Sequence, residues 1–530
     1  MIQKRSLSPN GLLFTSVSAI LGSGWMFSAY YTSQLAGPAA IISWILGGIL
    51  LIIIAFTFAE ISAMLPLTGS SVRVPQYTHG TLVAFIFSWF IWLSYTALVP
   101  TEVQGVIQYL TLFFPSLALP NTGQLTHQGY ITATFLMLII SSINIYSLRW
   151  LIRANNALTI MKIILPIILV ISIFMIATLH HHPLYPRSDF SPYGFHGIFA
   201  AIASGGIIFA FNGFKQACEM AGEAKNPGTA LPYAIIGSIT LCLTIYLLLQ
   251  LAFLTSLQPT NISKGWANIQ LSHSNSPFTT ILLQDHLQGL LPLLYLGAII
   301  GPLAAALMYM ASSSRSLYAT SANGCLPNFL HSLNHQGNPA KAILVNFCVG
   351  MLMFTPLPGW KAMVTFLTSL MAISYVIGPI SLLALRYQIP NQSRLLKLPF
   401  PRLWSYTAFF LCNCLAYWSG WDIISKLSLA IIAGIIILFG YRTINATARS
   451  IPLNSRCALW LWPYFGGLTL ISYLGSFGHG INLLPFGWDI LTVLLFSLGI
   501  MWLAIHLRLA PEETQCYIDE LEHHLPKTEQ

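Results

Sequence analysis

Long stretches without a single charge constrain this chain more than any other feature. Runs of about 20 apolar residues suit a helix crossing roughly 30 Å of hydrocarbon, and a helix is the one open element that satisfies its own backbone there. The sequence divides into fourteen such runs, at 11–35, 38–65, 81–112, 129–148, 156–179, 197–224, 231–256, 290–320, 341–357, 362–386, 404–421, 425–441, 457–476 and 486–507. The charge content agrees. Of 530 residues, 23 are Lys or Arg and 14 Asp or Glu, which is 7% of positions, where a soluble domain carries about a quarter. A water-soluble globule is excluded, and the expected fold is all-α: a polytopic membrane protein with about 14 transmembrane helices.

The net charge of +9 raises the question of a nucleic-acid partner, which the positions of the basic residues answer. With the N-terminus inside, Lys4, Arg5, Arg73, Arg149, Arg153, Lys225, Arg315, Lys341, Arg386, Arg394, Lys397, Arg402, Arg442, Arg449, Arg456, Arg508 and Lys527 fall in or beside cytoplasmic segments. Arg187, Lys264, Lys361 and Lys426 fall outside. So lopsided a split follows the positive-inside rule and places both termini in the cytoplasm of a plasma membrane, the inner membrane if the source is bacterial. No face collects these charges into a groove, so no nucleic acid is expected. Lys4 and Arg5 precede no short cleavable signal, and the first run is expected to stay as a span. The eight scattered cysteines read as small buried hydrophobes, and the acidic tail with Glu512, Glu513, Asp519, Glu520 and Glu522 as a solvated terminal helix.

Two runs are interrupted. The first contains Gly22-Ser23-Gly24-Trp25 near its middle, and the sixth contains Phe209-Ala210-Phe211-Asn212-Gly213-Phe214-Lys215. Glycine weakens a helix and lets backbone approach another group, so each segment either unwinds at mid-membrane or packs closely through its small residues. Corresponding breaks five helices apart point to an inverted-repeat transporter with its site at the midplane. Such a site favours a zwitterion. Amides around Ser23 and Gly24 face a carboxylate, carbonyls near Ile20 and Phe209 face an ammonium, and Phe209 and Phe211 either cover the ligand or simply pack.

These motifs resemble the amino acid–polyamine–organocation superfamily of amino acid permeases over roughly the first 440 residues. The resemblance rests on Gly22-Ser23-Gly24-Trp25, on Ala59-Glu60-Ile61-Ser62-Ala63-Met64-Leu65-Pro66, and on Phe211-Asn212-Gly213-Phe214 followed by Gly222-Glu223-Ala224-Lys225-Asn226-Pro227. It continues through Ser314-Arg315-Ser316-Leu317-Tyr318 to Asn323-Gly324-Cys325-Leu326-Pro327. It implies a five-plus-five inverted repeat, like that of the leucine transporter, followed by two helices, and this chain adds two more. The corresponding segments are an N-terminus at 1–10, a core at 11–386, two helices at 404–441, two additional helices at 457–507 and a tail at 508–530. The resemblance further implies that Ile20, Ser23 and Gly24 hold the amino acid backbone, with Gly22 and Gly213 permitting the geometry. Phe209 is similar to the family's gating aromatic, Asn212 and Lys215 lie toward the substrate side chain, and counting back from Gly324 gives Tyr309 as a pocket aromatic.

Charges inside spans are costly and functional by default. Lys162 lies about two turns into the fifth run, where proton-coupled relatives have a lysine; it is a proton-coupling group or a structural cap. Lys215 departs from the acidic residue many relatives have. It either attracts a side-chain carboxylate, as in permeases for aspartate and glutamate, or pairs with Glu219 one turn on. Glu102 in the third run is a second proton carrier or faces an aqueous vestibule. Glu60, Arg73, Glu223 and Arg315 form an inner gate or are interfacial charges.

No phosphate loop is present, and His180-His181-His182 has little around it to make a metal site or a membrane enzyme. The expected function is secondary active transport of an amino acid by alternating access, coupled to protons, with acidic amino acids as cargo and no cofactor. The alternative is amino acid exchange. Partners are the amino acid, protons and the lipid bilayer; oligomeric state is unreadable.

Overall fold

The computed structural model describes residues 7–66, 70–120, 122–146, 148–179 and 190–524, without the side chains of 148–156, 178–179, 447 and 520–524. Lys4, Arg5, His180, His181, His182, Arg187 and Lys527 lie outside these residues, as do the side chains of Arg149, Arg153, Glu520 and Glu522. Among the described residues, regular structure is helical, with only isolated bridges such as Leu7 to Ala224.

The first run is two helices, α1 (Pro9–Ile20) and α2 (Gly24–Ala36). Ser8 starts α1 by accepting the Gly11 amide, and Pro9 at the first helical position loses nothing by lacking an N–H. Gly37, with φ of +61°, and Pro38 then end α2 and turn the chain into α3 (Ala40–Met64). A short helix, α4 (Ser70–His79), leads to α5 (Thr81–Leu110), and α6 (His127–Tyr146) and α7 (Leu148–Leu179) follow.

The sixth run is broken into α8 (Gly194–Ser204), α9 (Ile207–Ala210) and α10 (Lys215–Glu219), with a 43° bend between its halves. The interruption begins earlier than the 209–215 segment suggests. Gly206 takes φ of +94°, and a Cβ there would meet Ser28 Oγ at 2.7 Å and the Trp360 ring at 3.0 Å. α1 packs on α10 and on the 212–214 turn, whereas α2 packs on α8 and α9. The two interrupted helices therefore lie side by side in opposite directions.

Beyond them come α11 (Pro227–Ser256), α12 (Pro277–Gln284), α13 (Leu291–Ala322), α14 (Ala340–Met353), α15 (Gly359–Gln388), α16 (Pro401–Trp418), α17 (Trp421–Ile444), α18 (Ala446–Ser450), α19 (Leu461–Leu474), α20 (Trp488–His506) and α21 (Pro511–His524). Among the described residues, ten helical stretches are long and apolar enough to cross a membrane, and the bent sixth pair makes an eleventh. The run drawn at 341–357 is a 14-residue helix. Helices α5 and α15 are buried at the centre, whereas α6, α7 and α17 expose Phe135, Leu138, Ile164, Ile171, Met175, Leu429 and Ile436 outward. An apolar perimeter around polar interior groups is what a bilayer requires, and the protein is a multi-pass membrane protein.

Both described ends share one face, called here the terminal face. Leu7 exchanges backbone hydrogen bonds with Glu223 and Lys225, and α21 packs against α4 and α15. Two expectations change. The tail is not simply solvated: Ile518 and Thr514 are buried, the Thr514 hydroxyl donates to Tyr77 O at 2.9 Å, and the Tyr517 ring packs at a tilt on that of Tyr77. An amphipathic helix placed beside α4 buries its apolar stripe there, which its charge content alone conceals. Of the eight cysteines, Cys348 and Cys516 are exposed, because α14 is peripheral and the outer side of α21 faces away from the bundle.

Candidate substrate site

The geometry of the first break follows from its glycines. α1 stops at Ile20 and α2 resumes at Gly24, so the amides of Gly22, Ser23 and Gly24 sit at a helix N-terminus, the positive end of its dipole. Gly24 is packed so closely on the sixth helix that a Cβ would lie 2.9 Å from Ala210 Cβ. Gly213 meets the first helix in the same way, its Cβ position 2.4 Å from Ile20 N. The two breaks therefore touch, and they bring Ile20, Gly22, Ser23, Gly24, Phe209 and Gly213 together.

Polar groups at the breaks are met by side chains from other helices. On α5, Glu102 accepts the Ser23 amide at 2.7 Å, and its Oε1 lies 2.3 Å from where a Cβ on Gly22 would be. The Tyr309 hydroxyl of α13 donates to Ala19 O at 2.6 Å. The Tyr246 hydroxyl of α11 lies between Ile20 O, at 2.9 Å, and Ala210 O, at 3.0 Å, and shares its one proton between them. Carbonyls released by the breaks are thus capped by phenols, as a buried backbone acceptor requires. Lys162 of α7 is buried and donates from Nζ to Ser18 O at 2.7 Å, in the last turn of α1.

An aromatic wall covers the α2 side of the breaks. Trp360 of α15 donates from Nε1 to Ser23 Oγ at 2.8 Å, stacks on Phe27 and Tyr31, and receives Phe209 edge-on with ring centroids 5.4 Å apart. Phe211 points elsewhere, packing on Trp44 and Tyr246. On the terminal side, Asn212 Oδ1 accepts the Tyr375 hydroxyl at 2.9 Å, and Asn212 Nδ2 is buried without a hydrogen bond. Lys215 lies past Tyr375, its Nζ 5.1 Å from the Phe58 ring centre and 5.2 Å from that of Tyr375, in cation–π contact with both. It is near Glu219 but not within 4 Å; among the described residues the ion pairs are Arg386–Glu60, Arg394–Glu60 and His479–Asp422. Glu219 instead accepts the Tyr95 hydroxyl at 3.5 Å. Beyond Lys215 opens a cleft lined in part by Phe58, Ser62, Ser70, Ser71 and Ser381.

Sequence reasoning missed Tyr246, Trp360 and Tyr375. Tyr246 and Tyr375 lie inside apolar runs, where a phenol must find a partner for its polar tip, so each carried a signal without a readable partner, whereas Trp360 falls in the gap between the runs at 341–357 and 362–386. Glu60 pairs with Arg386 at 2.7 Å rather than with Arg73. Among the described residues, no group of three His, Cys, Asp or Glu side chains is placed to hold a metal.

Broken helices crossing antiparallel, with charged and hydroxyl groups gathered at the breaks inside an apolar perimeter, define a membrane carrier rather than an enzyme. The sequence profile of the amino acid permease family matches residues 7–440, and the chain belongs to that family. It is 32% identical over 502 residues to a glutamate/serine transporter of Bacillus subtilis, covering 93% of this chain and 92% of the relative. It is also 32% identical over 505 residues to an aspartate-proton symporter of the same organism, covering 94% and 96%. A branched-chain amino acid permease, again from Bacillus subtilis, is 26% identical over 449 residues, 83% of this chain and 93% of its own. The protein is an amino acid permease, an integral membrane transporter.

Proposed function

We propose that this permease is a proton-coupled symporter that takes up acidic amino acids by alternating access. The observation that carries the reading is the contact between the two breaks, Gly24 against Ala210 and Gly213 against Ile20. A carrier needs a site at mid-membrane whose walls belong to separately moving segments, and apposed interrupted helices supply one. In this reading the amides of Ser23 and Gly24 take the substrate carboxylate, and the Phe209 carbonyl and, once Tyr246 swings away, the Ile20 carbonyl take the ammonium. Phe209 gates the site against Trp360. Asn212 and then Lys215 lie toward the substrate side chain, Tyr309 completes the pocket, and Phe211 backs it by packing on Tyr246.

The fourteen drawn runs become fourteen spans in this reading, with α14 and α16 included and α1–α2 counted apart from α3. The first ten form the five-plus-five repeat at 11–386, followed by 404–441 and the additional pair at 457–507. The terminal face is cytoplasmic in a plasma membrane. Lys162 and Glu102 are the coupling groups: the Lys162 ammonium on Ser18 O holds α1 against α7 and lets go on deprotonation, and Glu102 is a second proton carrier. Cargo is read as acidic from the buried Lys215 and from relatives named for glutamate/serine and aspartate transport.

The test is uptake of a panel of labelled amino acids into vesicles that hold the purified carrier and no amino acid, driven by an imposed pH gradient. Accumulation of aspartate or glutamate that collapses with the gradient is expected. Uptake only into preloaded vesicles makes the carrier an exchanger. Arginine or lysine outcompeting aspartate overturns the acidic cargo.

A further inference from the structure

The Ser23 amide, the group best placed to receive a substrate carboxylate, already holds one. Glu102 reaches from α5 to accept the Ser23 N–H at 2.7 Å, and its second oxygen covers Gly22 so closely that a Cβ there would lie 2.3 Å away. Glu102 is 2% exposed, and its hydrogen bonding comes from Ser23. A carboxylate in an apolar interior needs several donors, and one resting on a single unwound residue is replaceable. The other polarity is filled as well, since Tyr309 and Tyr246 donate to Ala19 O, Ile20 O and Ala210 O, where an ammonium would donate. Three side chains thus reproduce, group by group, the hydrogen bonds of an α-amino acid.

We propose that Glu102 is a tethered occupant of the carboxylate subsite: it and the substrate α-carboxylate compete for the same amides. The proposal rests on the amino acid reading above and deepens it. Two carboxylates cannot share the Ser23 amide as anions, because like charges at hydrogen-bond distance repel strongly in a low dielectric. Arrival of substrate therefore moves Glu102 off the amide and onto a proton, taken up at one carboxylate oxygen from the aqueous side then open. Departure of substrate returns Glu102 to Ser23 and releases the proton to the other side. Titratable groups facing Glu102 are Lys162 of α7, Tyr246 of α11 and Tyr309 of α13. Lys215 and Glu219 of α10 lie farther along α5, beside Tyr95. Lys162 is engaged with Ser18 O, and the phenols donate to carbonyls, which leaves Glu102 as the anion that substrate displaces.

The experiment is equilibrium binding of the labelled amino acid panel to the full-length purified carrier in an acidic condition, about pH 5, and a mildly alkaline one, about pH 8. Wild type is expected to bind on the order of tenfold more tightly at the acidic pH. Glu102→Ala is expected to bind tightly at both, and Glu102→Asp, one carbon too short to reach Ser23, to follow it. Weaker binding by Glu102→Ala with pH dependence retained overturns the proposal while leaving amino acid transport standing. No panel member binding to wild type at either pH overturns the amino acid reading and the proposal with it. If the variants do not fold, infrared difference spectra of wild type decide. Substrate addition is expected to shift one side-chain carboxyl from ionised to protonated, and a spectrum without that change overturns competition.

Discussion

Two buried carboxylates, Glu102 and Asp489, show how differently one molecule treats the same chemical group. Asp489 starts α20 and is fully buried, yet it has donors on every side. Its Oδ1 accepts the Gly487 and Ile490 amides, and its Oδ2 accepts the Tyr417 hydroxyl at 2.6 Å and the Ser476 hydroxyl at 3.1 Å. Beside it, Asn413 of α16 donates to Ser497 and accepts from Tyr464. These groups tie α16, α19 and α20 together, and every donor is local or on an adjoining segment. Glu102 instead rests on Ser23, at the unwound point of the first helix. A carboxylate satisfied four times over is an anchor; one held by a single displaceable residue is positioned to move.

Substitutions can break that contrast. The largest effect is expected from Gly213→Ala, whose Cβ would be driven into the Ile20 and Ala19 backbone. Backbone cannot yield as a flexible side chain does, so transport is expected to fall to background, and a carrier with normal uptake and affinity would disprove the apposed breaks. Next comes Asp489→Ala. Removing an ion bonded to four donors is expected to cost about 3 kcal/mol or more, seen as a fall in thermal midpoint in detergent, whereas Glu102→Gln, which keeps an acceptor for Ser23, should cost no more than about 1 kcal/mol. Equal losses at the two positions would erase the distinction between anchor and occupant.

Lys162→Met is expected to remove gradient-driven uptake with a stability change of about 1.5 to 3 kcal/mol, the range for a charged hydrogen bond such as that to Ser18 O. Unchanged proton flux would reduce Lys162 to a cap. The smallest effect lies outside the membrane. His479 is fully exposed and bonds the Asp422 carboxylate at 2.5 Å, and that hydrogen bond, then the charge, raises its pKa above the ordinary 6.5. The folded state therefore holds the proton more tightly than the unfolded chain. The contribution is complete below about 6.5 and is lost as pH rises through the raised value. His479→Asn, which tolerates the local φ of +61°, should flatten this slight acid-side gain in thermal midpoint.

The sequence made the helices legible because an apolar run must be helical in lipid whatever its neighbours are. The place of the first break was legible in the two glycines around Ser23, although unwinding and close packing stayed open there until the sixth run was set beside it. The start of the sixth break at Gly205-Gly206 was not, because a glycine pair in an apolar run reads equally as close packing; it is Trp360, far along the chain, that needs Gly206 to have no side chain. Lys215 shows the same limit. Its position left an ion pair with Glu219 and attraction of a substrate carboxylate equally open, and the rings of Phe58 and Tyr375, brought in by α3 and α15, hold its ammonium.

By itself, then, the sequence determined that this chain crosses a membrane repeatedly, that two of its runs carry glycines able to interrupt a helix, and that a few charges lie inside. Tertiary structure alone decided what fills the interruptions. Glu102 is 79 residues from Ser23, Tyr246 is 226 from Ile20, Tyr309 is 290 from Ala19, and Trp360 is 337 from Ser23. Glycine frees backbone groups by a local rule, but a freed amide or carbonyl takes its partner from whichever helix packs against it, and that choice is made by the whole bundle.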